Sequence, residues 1–205
     1  MLKFLLAGLV FFAACANVPD PVFASASLVP PQVSVTSEYS ASNVYMRQKE
    51  LIEKMSEGYG VEVDVAWEPC GQENSFYYRA TNKIVLCTEM SKYPAAALFY
   101  AAHEMGHSMT WQLTSSLSEI DADEIAALAM IDLGYSYELL GAALYHKADD
   151  TQGHIQGDSH PSNGFRAWYL ACLATGADGG PPECVMLYQA TKLKWETRLN
   201  DKQEE

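Results

Sequence analysis

Two neighbouring stretches decide the fold of this chain: PAAALFYAAHEMGHSMTWQL at residues 94–113 and SEIDADEIA at residues 118–126. Pro94 is a favoured first-turn residue of an α-helix, and the apolar side chains that follow it recur at helical spacing. In the second stretch the apolar side chains again provide a buried side, while acidic side chains cluster at the beginning. The sequence therefore predicts two buried helices, over residues 94–113 and 119–133.

Outward from these helices, the hydrophobic pattern changes between helix and strand. Helical spacing predicts a first helix over residues 43–57, and alternation over residues 61–67 predicts a half-buried strand. Two more strands are expected at residues 76–79 and 83–87. The remaining helices are expected after Ser136, after Pro161 and over residues 183–200. The expected fold class is α+β: a small antiparallel sheet packed on a mainly helical bundle that carries the two buried helices.

The first buried helix contains the pattern HEMGH. His103 and His107 are four positions apart, so they lie on one helical face with Cβ atoms about 5–6 Å apart. Two imidazoles placed in this way can bind one Zn²⁺. Glu104 lies one position further around the helix, where it can accept a proton from the water that the metal activates. Two surface histidines on an ordinary helix are the alternative interpretation of this motif.

A catalytic zinc needs a third protein ligand. A histidine at position 113 would fit the metzincin pattern, but Leu113 stands there. Glu119 and Asp123 are again four positions apart: Glu119 fits the third ligand, and Asp123 fits a carboxylate that orients a ligand histidine. Asp121 is an alternative ligand. A solvated acidic first turn, which the helix dipole favours, is the other interpretation, and it is the one expected for Asp121 and Glu124.

These motifs resemble those of known families. HEMGH followed by EIDADEIA resembles the gluzincin zinc peptidases, whose third ligand is the Glu of a Glu-x-x-x-Asp on a following helix. The Ala-Asp-x-x-Ala run, with His160-Pro161 and Arg166 further on, resembles the CAAX-prenyl-protease-like metallopeptidases. The closest likeness, over about residues 67–195, is to a family of bacterial metallopeptidase-like proteins of unknown function. Its other features here are Cys70-Gly71, Asn74, Tyr77, residues 84–87, Glu89, Arg166, Cys172, Cys184, Tyr188 and Trp195. The resemblance implies a compact gluzincin-like zinc peptidase.

Two side chains beyond the HEMGH and EIDADEIA motifs are candidate catalytic residues, and the imidazole of His160 could act in its neutral or charged form. His160, in a polar loop, and Arg166 could each stabilise the oxyanion of a tetrahedral intermediate. Arg166 could instead hold an acidic ligand in place, and a surface or structural ion pair is the alternative for both residues. His146 and His154 lack partners at ligand spacing and are expected to face solvent.

The strand expected to run past the metal is residues 84–88. In gluzincins the free edge of such a strand pairs with an extended peptide substrate through backbone hydrogen bonds, which is strand addition. The alternative is an edge that the loop at residues 71–75 shields.

The N-terminal segment predicts export. In residues 1–15, MLKFLLAGLVFFAAC, one lysine precedes an apolar run that is too short to span a bilayer. Its end resembles a bacterial lipobox, in which Cys15 would be diacylated and become the new N-terminus; the alternative is an ordinary signal peptide cut after Ala26. Residues 16–41 are rich in Pro, Val, Ser and Ala, which predicts a flexible tether. Residues 42–205 then form the expected zinc metallopeptidase-like domain.

The cysteine count agrees with export. When Cys15 is set aside as the lipidated residue, an even number remains, as is usual in an oxidising compartment. Of the possible pairings, Cys70–Cys87 and Cys172–Cys184 are favoured because each closes a short local loop. Four buried free thiols are the alternative.

Charge and hydropathy narrow the class of partner. The net charge of −13, with only 13 Lys and Arg residues, argues against a nucleic-acid partner, and the one long apolar run argues against a multi-span membrane protein.

The expected function is a zinc-dependent peptidase of the bacterial cell envelope that acts on a peptide or protein substrate. It would be a periplasmic or outer-membrane lipoprotein held to the membrane only through Cys15, or alternatively a secreted protein. Two other functions stay open: a non-catalytic zinc-containing lipoprotein that binds a partner, and a zinc hydrolase of a non-peptide cell-wall amide.

Overall fold

The computed structural model describes residues 40–149 and 161–203, and all of these belong to one compact unit. The expected signal segment with Cys15 and the expected tether up to residue 39 lie outside the described residues, as do His154 and His160. Within the described ranges, no helix is both long enough and apolar enough to cross a membrane.

The fold is α+β, as the hydrophobic pattern predicts. The described residues form six α-helices and one three-stranded sheet. The helices are α1 (Ala41–Tyr59), α2 (Pro94–Thr114), α3 (Glu119–Asp132), α4 (Ser136–Asp149), α5 (Asn163–Ala177) and α6 (Pro182–Gln203). The strands are β1 (Asp64–Glu68), β2 (Ser75–Tyr78) and β3 (Lys83–Cys87), and a short 3₁₀ helix, Thr88–Lys92, follows β3.

Local chemistry sets the ends of the helices. The Ser40 side chain caps α1 by accepting a hydrogen bond from a first-turn N–H, and α1 ends at Gly60, whose φ of 64° is left-handed. Pro94 occupies the first turn of α2, where the missing N–H would have no helical partner in any case. Ser118 caps α3 in the same way as Ser40 caps α1. These signals explain why the helices begin and end close to the predicted positions.

The sheet is mixed, so the expectation of an antiparallel sheet is wrong for one of its two strand pairs. The strand order is β1-β3-β2; β2 pairs antiparallel with β3, but β1 pairs parallel with it. The chain reverses twice between β1 and β3, so these two strands run in the same direction, and β3 lies between the others. The first strand begins at Asp64 instead of Val61 because Asp64 pairs with Lys83, the first residue of β3.

The central position of β3 excludes both alternatives for residues 84–88, a free edge and an edge that the loop at residues 71–75 shields. Both edges of β3 are paired, and Ile84 to Cys87 are all buried, as in a strand that is covered on both faces. An extended peptide therefore has no edge of β3 to join. Among the described residues, the edge of β2 that faces away from β3 is unpaired, and β2 packs against α2.

The core is built around α2, which packs against α1, α3, α4 and β2. Almost every residue from Ala96 to Thr110 is buried. Phe99, Met105 and Met109 are 0 % exposed, and burial of each such side chain stabilises the fold by about 1.5–3 kcal/mol. A helix that is covered on all sides can hold polar side chains only where they find partners, which makes its two histidines and its glutamate conspicuous.

Two disulfides close local loops, and the predicted pairing is confirmed. Cys70 and Cys87 have Cα atoms 5.4 Å apart and tie the β1–β2 connection to the end of β3. Cys172 and Cys184 have Cα atoms 4.9 Å apart and join α5 to the beginning of α6. Two such bonds indicate an oxidising, exported environment.

Candidate metal centre

Helix α2 presents two histidines side by side. His103 and His107 are one turn apart, their ring centroids are separated by 4.6 Å, and they are only 4 % and 9 % exposed. The Nε2 atoms of both rings face the first residue of α3, Glu119, which Ser118 fixes at the beginning of that helix. The position of these imidazoles is thus set by helix packing and not by a loop.

Glu119 completes a group of three potential metal ligands. Its Oε2 lies 3.2 Å from Nε2 of His103, and its Oε1 lies 3.4 Å from Nε2 of His107. One ligand atom from each of the three residues lies within 4.8 Å of the others. The alternative ligand, Asp121, is not part of this group, because its carboxylate lies 2.7 Å from the ammonium of Lys194. The structure therefore brings together the three residues that spacing predicted.

A glycine allows α2 and α3 to come this close. A Cβ on Gly106 would lie 2.5 Å from the carbonyl oxygen of Ala122 and 3.0 Å from its Cα, closer than a side chain can approach backbone. Gly106 precedes His107, and Ala122 precedes Asp123. The point where α2 and α3 cross therefore lies directly beside the candidate metal-binding group.

Asp123 lies behind His103, on the side away from Glu119. Its Oδ1 is 2.8 Å from Nδ1 of His103, and the carboxylate is 0 % exposed. The line between these two atoms departs from the ring N–H direction, so the contact is better described as an ion pair than as a well-directed hydrogen bond. The carboxylate occupies the position expected of a group that orients a ligand histidine.

Arg166 connects the two carboxylates. From α5 it donates two hydrogen bonds to Asp123, Nε to Oδ2 at 2.7 Å and Nη2 to Oδ1 at 2.8 Å. Its Nη1 lies 3.5 Å from Oε2 of Glu119. Of the three roles that the sequence leaves open for Arg166, the described contacts are those of a residue that holds acidic side chains in place.

Burial and neighbouring charges set the pKa values of the three candidate ligands. Burial lowers the pKa of His103, but the carboxylates of Asp123 and Glu119 outweigh it and raise that pKa to about 9. Burial lowers the pKa of His107. Burial would raise the pKa of Glu119, but hydrogen bonds from the two histidines hold it far below its usual range. Glu119 is thus an anionic ligand and His107 a neutral one near pH 7, and a cation in the site would replace the proton of His103.

Glu104 is next to this group without belonging to it. Its side chain is 7 % exposed, and burial raises the pKa of the carboxyl to about 7, although the charge of His103 and the backbone N–H of Tyr77 act in the opposite direction. A carboxyl group with this pKa can both accept and release a proton near neutral pH. The effect of the Tyr77 N–H on this pKa indicates that β2, which packs against α2, lies close to Glu104.

His146 is buried, so the expectation that it faces solvent is wrong. It is 1 % exposed, and its ring contacts those of Phe99 and Tyr100, with centroids 5.4 and 5.3 Å away. Its Nε2 has no hydrogen-bond partner among the described residues. Burial and the charge of Arg166 lower its pKa to about 3. The spacing with Leu139, Ala142 and Ala143 on α4 is a signal that could have placed His146 on the buried face.

Glu124 is also buried, in contrast to the expected solvated turn. Its carboxylate accepts hydrogen bonds from the Tyr169 hydroxyl at 2.7 Å, the Trp195 indole N–H at 2.7 Å and the Lys194 ammonium at 2.5 Å. These donors come from α5 and α6, so Glu124 holds both helices against α3. The sequence contains no local signal for this role, since all three partners are distant along the chain.

A second group of potential ligand atoms, Cys70, Cys87 and Glu89, does not form a comparable site. The two sulfur atoms are joined in a disulfide and offer no thiolate. The Glu89 carboxylate accepts hydrogen bonds from the backbone N–H groups of Cys70 and Gly71, at 3.1 and 2.8 Å. This group therefore stabilises the β1–β2 connection.

Comparison of the chain with protein-family models, with curated proteins and with solved structures finds no match.

Proposed function

We propose that this protein is a zinc-dependent peptidase of the compact gluzincin type. The proposal rests on one observation: three ligand atoms from His103, His107 and Glu119 converge, and Glu104, which is not a ligand, lies beside them. Two imidazoles and one carboxylate are a ligand set of catalytic zinc sites, which keep one position for water. The match between this donor set and zinc is what supports zinc over a hard cation, which would take oxygen ligands.

Each residue has a distinct part in this proposal. His103, His107 and Glu119 would hold the ion, which supplies, when bound, a Lewis acid that makes water more acidic and polarises a carbonyl group. Glu104 accepts the proton of the attacking water and passes it to the leaving amine. Asp123 holds His103 in orientation, and Arg166 holds Asp123 and Glu119. His160, which lies outside the described residues, keeps its proposed role in oxyanion stabilisation.

The proposed location is the bacterial cell envelope. The two disulfides agree with export, and the lipobox-like end of the first segment supports attachment through a diacylated Cys15. The substrate would be a peptide or protein outside the cytoplasm.

The test separates catalysis from metal binding. In residues 42–205 purified with one zinc per chain, Glu104→Gln should keep the zinc and the fold but lower the rate of peptide cleavage about 10²–10⁴-fold, the scale of a positioned general base. Glu57→Gln, the same change at an exposed position of α1, is the matched control and should have no effect. Cleavage of an unfolded protein and of mixed peptides would be measured, with metal content and a chelator control.

Three results would contradict the proposal. Equal, chelator-sensitive activity in wild type and Glu104→Gln would mean that Glu104 is not the base. A chain that holds zinc tightly but cleaves no peptide, in either form, would indicate a structural metal in a partner-binding lipoprotein. Cleavage of a cell-wall amide but of no peptide would favour the non-peptide hydrolase.

A further inference from the structure

The turn between β2 and β3 contains a polar residue whose side chain the proposed ligand set does not use. Asn82 closes this turn with a φ of 48°, in the left-handed region that asparagine tolerates better than most residues. Glycine would adopt the same backbone with less strain. The backbone of the turn alone therefore does not account for the asparagine side chain.

The Asn82 amide joins three separate parts of the chain. Its Nδ2 donates a hydrogen bond to the backbone carbonyl of Glu62, 2.7 Å away and just before β1. Its Oδ1 accepts hydrogen bonds from the Tyr77 hydroxyl on β2 and from the Ser108 hydroxyl on α2, both at 3.1 Å. Because a backbone carbonyl can only accept, the contact with Glu62 determines which end of the amide faces each partner.

Both hydroxyl partners lie next to the candidate metal centre. Ser108 directly follows His107 on α2 and is 0 % exposed. The backbone N–H of Tyr77 lowers the pKa of Glu104, and Glu104 lies one helical turn before Ser108, on the same face of α2. One amide thus fastens β2 to α2 beside the ligand histidines, on the helix face that also carries Glu104.

We propose that Asn82 and the hydroxyl of Tyr77 are positioning residues for Glu104. They hold β2 against the face of α2 that carries Glu104 and Ser108, so that the Glu104 carboxylate stays directed at the metal-binding group. Neither residue belongs to that group. The inference rests on the proposed function, in which Glu104 is the general base, and a misplacement of about 1 Å at such a residue can cost about 10²-fold in rate.

Two variants and one control test this proposal. Asn82→Gly keeps the left-handed backbone and removes the amide, whereas Tyr77→Phe removes only a hydroxyl. The control is Tyr78→Phe, the same change at the neighbouring tyrosine, which is 50 % exposed and points to the other face of the strand. In the zinc-loaded protein, both variants should lower kcat about 10–100-fold with KM and zinc content close to wild type, and the control should change neither. If Asn82→Gly does not fold, Tyr77→Phe carries the test.

A second measurement does not depend on activity. In the metal-free protein, the backbone N–H of Tyr77 should exchange with deuterium about tenfold faster in Asn82→Gly and Tyr77→Phe than in wild type, because β2 separates from α2 more often. The exchange in Tyr78→Phe should match wild type. An unchanged kcat in both zinc-loaded variants of an active wild type, or unchanged Tyr77 exchange, would overturn the positioning role alone. A wild type that cleaves nothing would overturn the proposed function and, with it, the positioning role.

Discussion

At the scale of single residues, the site depends on buried charges that compensate one another. Asp123 shows this most directly. Burial would raise its pKa, but hydrogen bonds from Arg166 and the charge of His103 lower it to about 2. Removal of one charged group leaves the other buried charges without an opposite charge, which lowers the stability of the folded state. The three candidate ligands, His103, His107 and Glu119, are therefore held by a network that includes Asp123 and Arg166.

Asp123→Asn should weaken zinc binding without abolishing it. The amide keeps the size of the side chain but removes the charge that orients His103, and such changes typically reduce metal affinity about 10–100-fold. Asp132→Asn, the same change at an exposed position of α3, is the control and should bind zinc as wild type does. Competition with a chelator of known zinc affinity measures both variants. Equal affinities would show that Asp123 does not support the ligand.

His146 should make the protein sensitive to acid. Its folded pKa of about 3 lies below the value of 6.5 for a free histidine, so the folded state binds fewer protons than the unfolded state. The stability that the neutral form contributes is present above pH 6.5 and is lost as the pH falls toward 3. The nearby charged groups are Arg166 and His103, which oppose protonation, and Asp123 and Glu119, which favour it.

In His146→Leu this acid sensitivity should be reduced. Between pH 6.5 and pH 4, the free energy of unfolding of metal-free wild type should fall about 3 kcal/mol more than that of the variant. Denaturant unfolding at several pH values gives both slopes. Parallel stability curves for the two proteins would mean that His146 takes up its proton in the folded state.

At the scale of helices and strands, the closeness of α2 and α3 determines whether the ligands meet. The two helices carry all three ligands and touch at Gly106 and Ala122. In contrast, Gly58 near the end of α1 has no atom within 4 Å of an added Cβ. The two glycines therefore form a natural comparison between a required and a replaceable glycine.

Gly106→Ala should separate α2 from α3 and damage the candidate metal centre. The added methyl group meets backbone, which cannot rotate away, so we expect a loss of stability of about 1–3 kcal/mol and weaker zinc binding. Gly58→Ala should instead stabilise the protein by about 0.5–1 kcal/mol, because alanine is the better helix former. Thermal unfolding and zinc titration measure both effects. Normal zinc affinity in Gly106→Ala would mean that the helices can adjust without moving Glu119.

Much at this scale could be predicted from the sequence, and the errors have physical causes. Capping residues and the 3.6-residue period are local, so the helices fall close to their predicted positions. The direction and order of the strands are not local: the pattern at residues 83–87 identifies a strand but not its two neighbours. The continuous burial of β3 is what distinguishes a central strand from an edge strand.

At the scale of the whole molecule, the disulfides add stability to a chain with one core. In the chain-entropy model, loops of 17 and 12 residues each contribute about 3 kcal/mol. We expect Cys70→Ser/Cys87→Ser and Cys172→Ser/Cys184→Ser each to lose about that amount in denaturant unfolding. Peptide mapping without reductant checks the pairing, and a Cys70–Cys184 peptide would contradict it.

The sequence by itself determined the α+β class, the helix positions, the local disulfides and the three candidate ligands, because each depends on contacts or spacings within a short stretch of chain. Only the tertiary structure decided that β3 is central, that His146 and Glu124 are buried, and that Arg166 holds Asp123 and Glu119. Those features join residues far apart in the chain. A sequence does not show whether a charged or titratable side chain is hydrated by water or paired with a residue far along the chain. Only packing buries such a side chain, and burial is what makes the distant partner necessary.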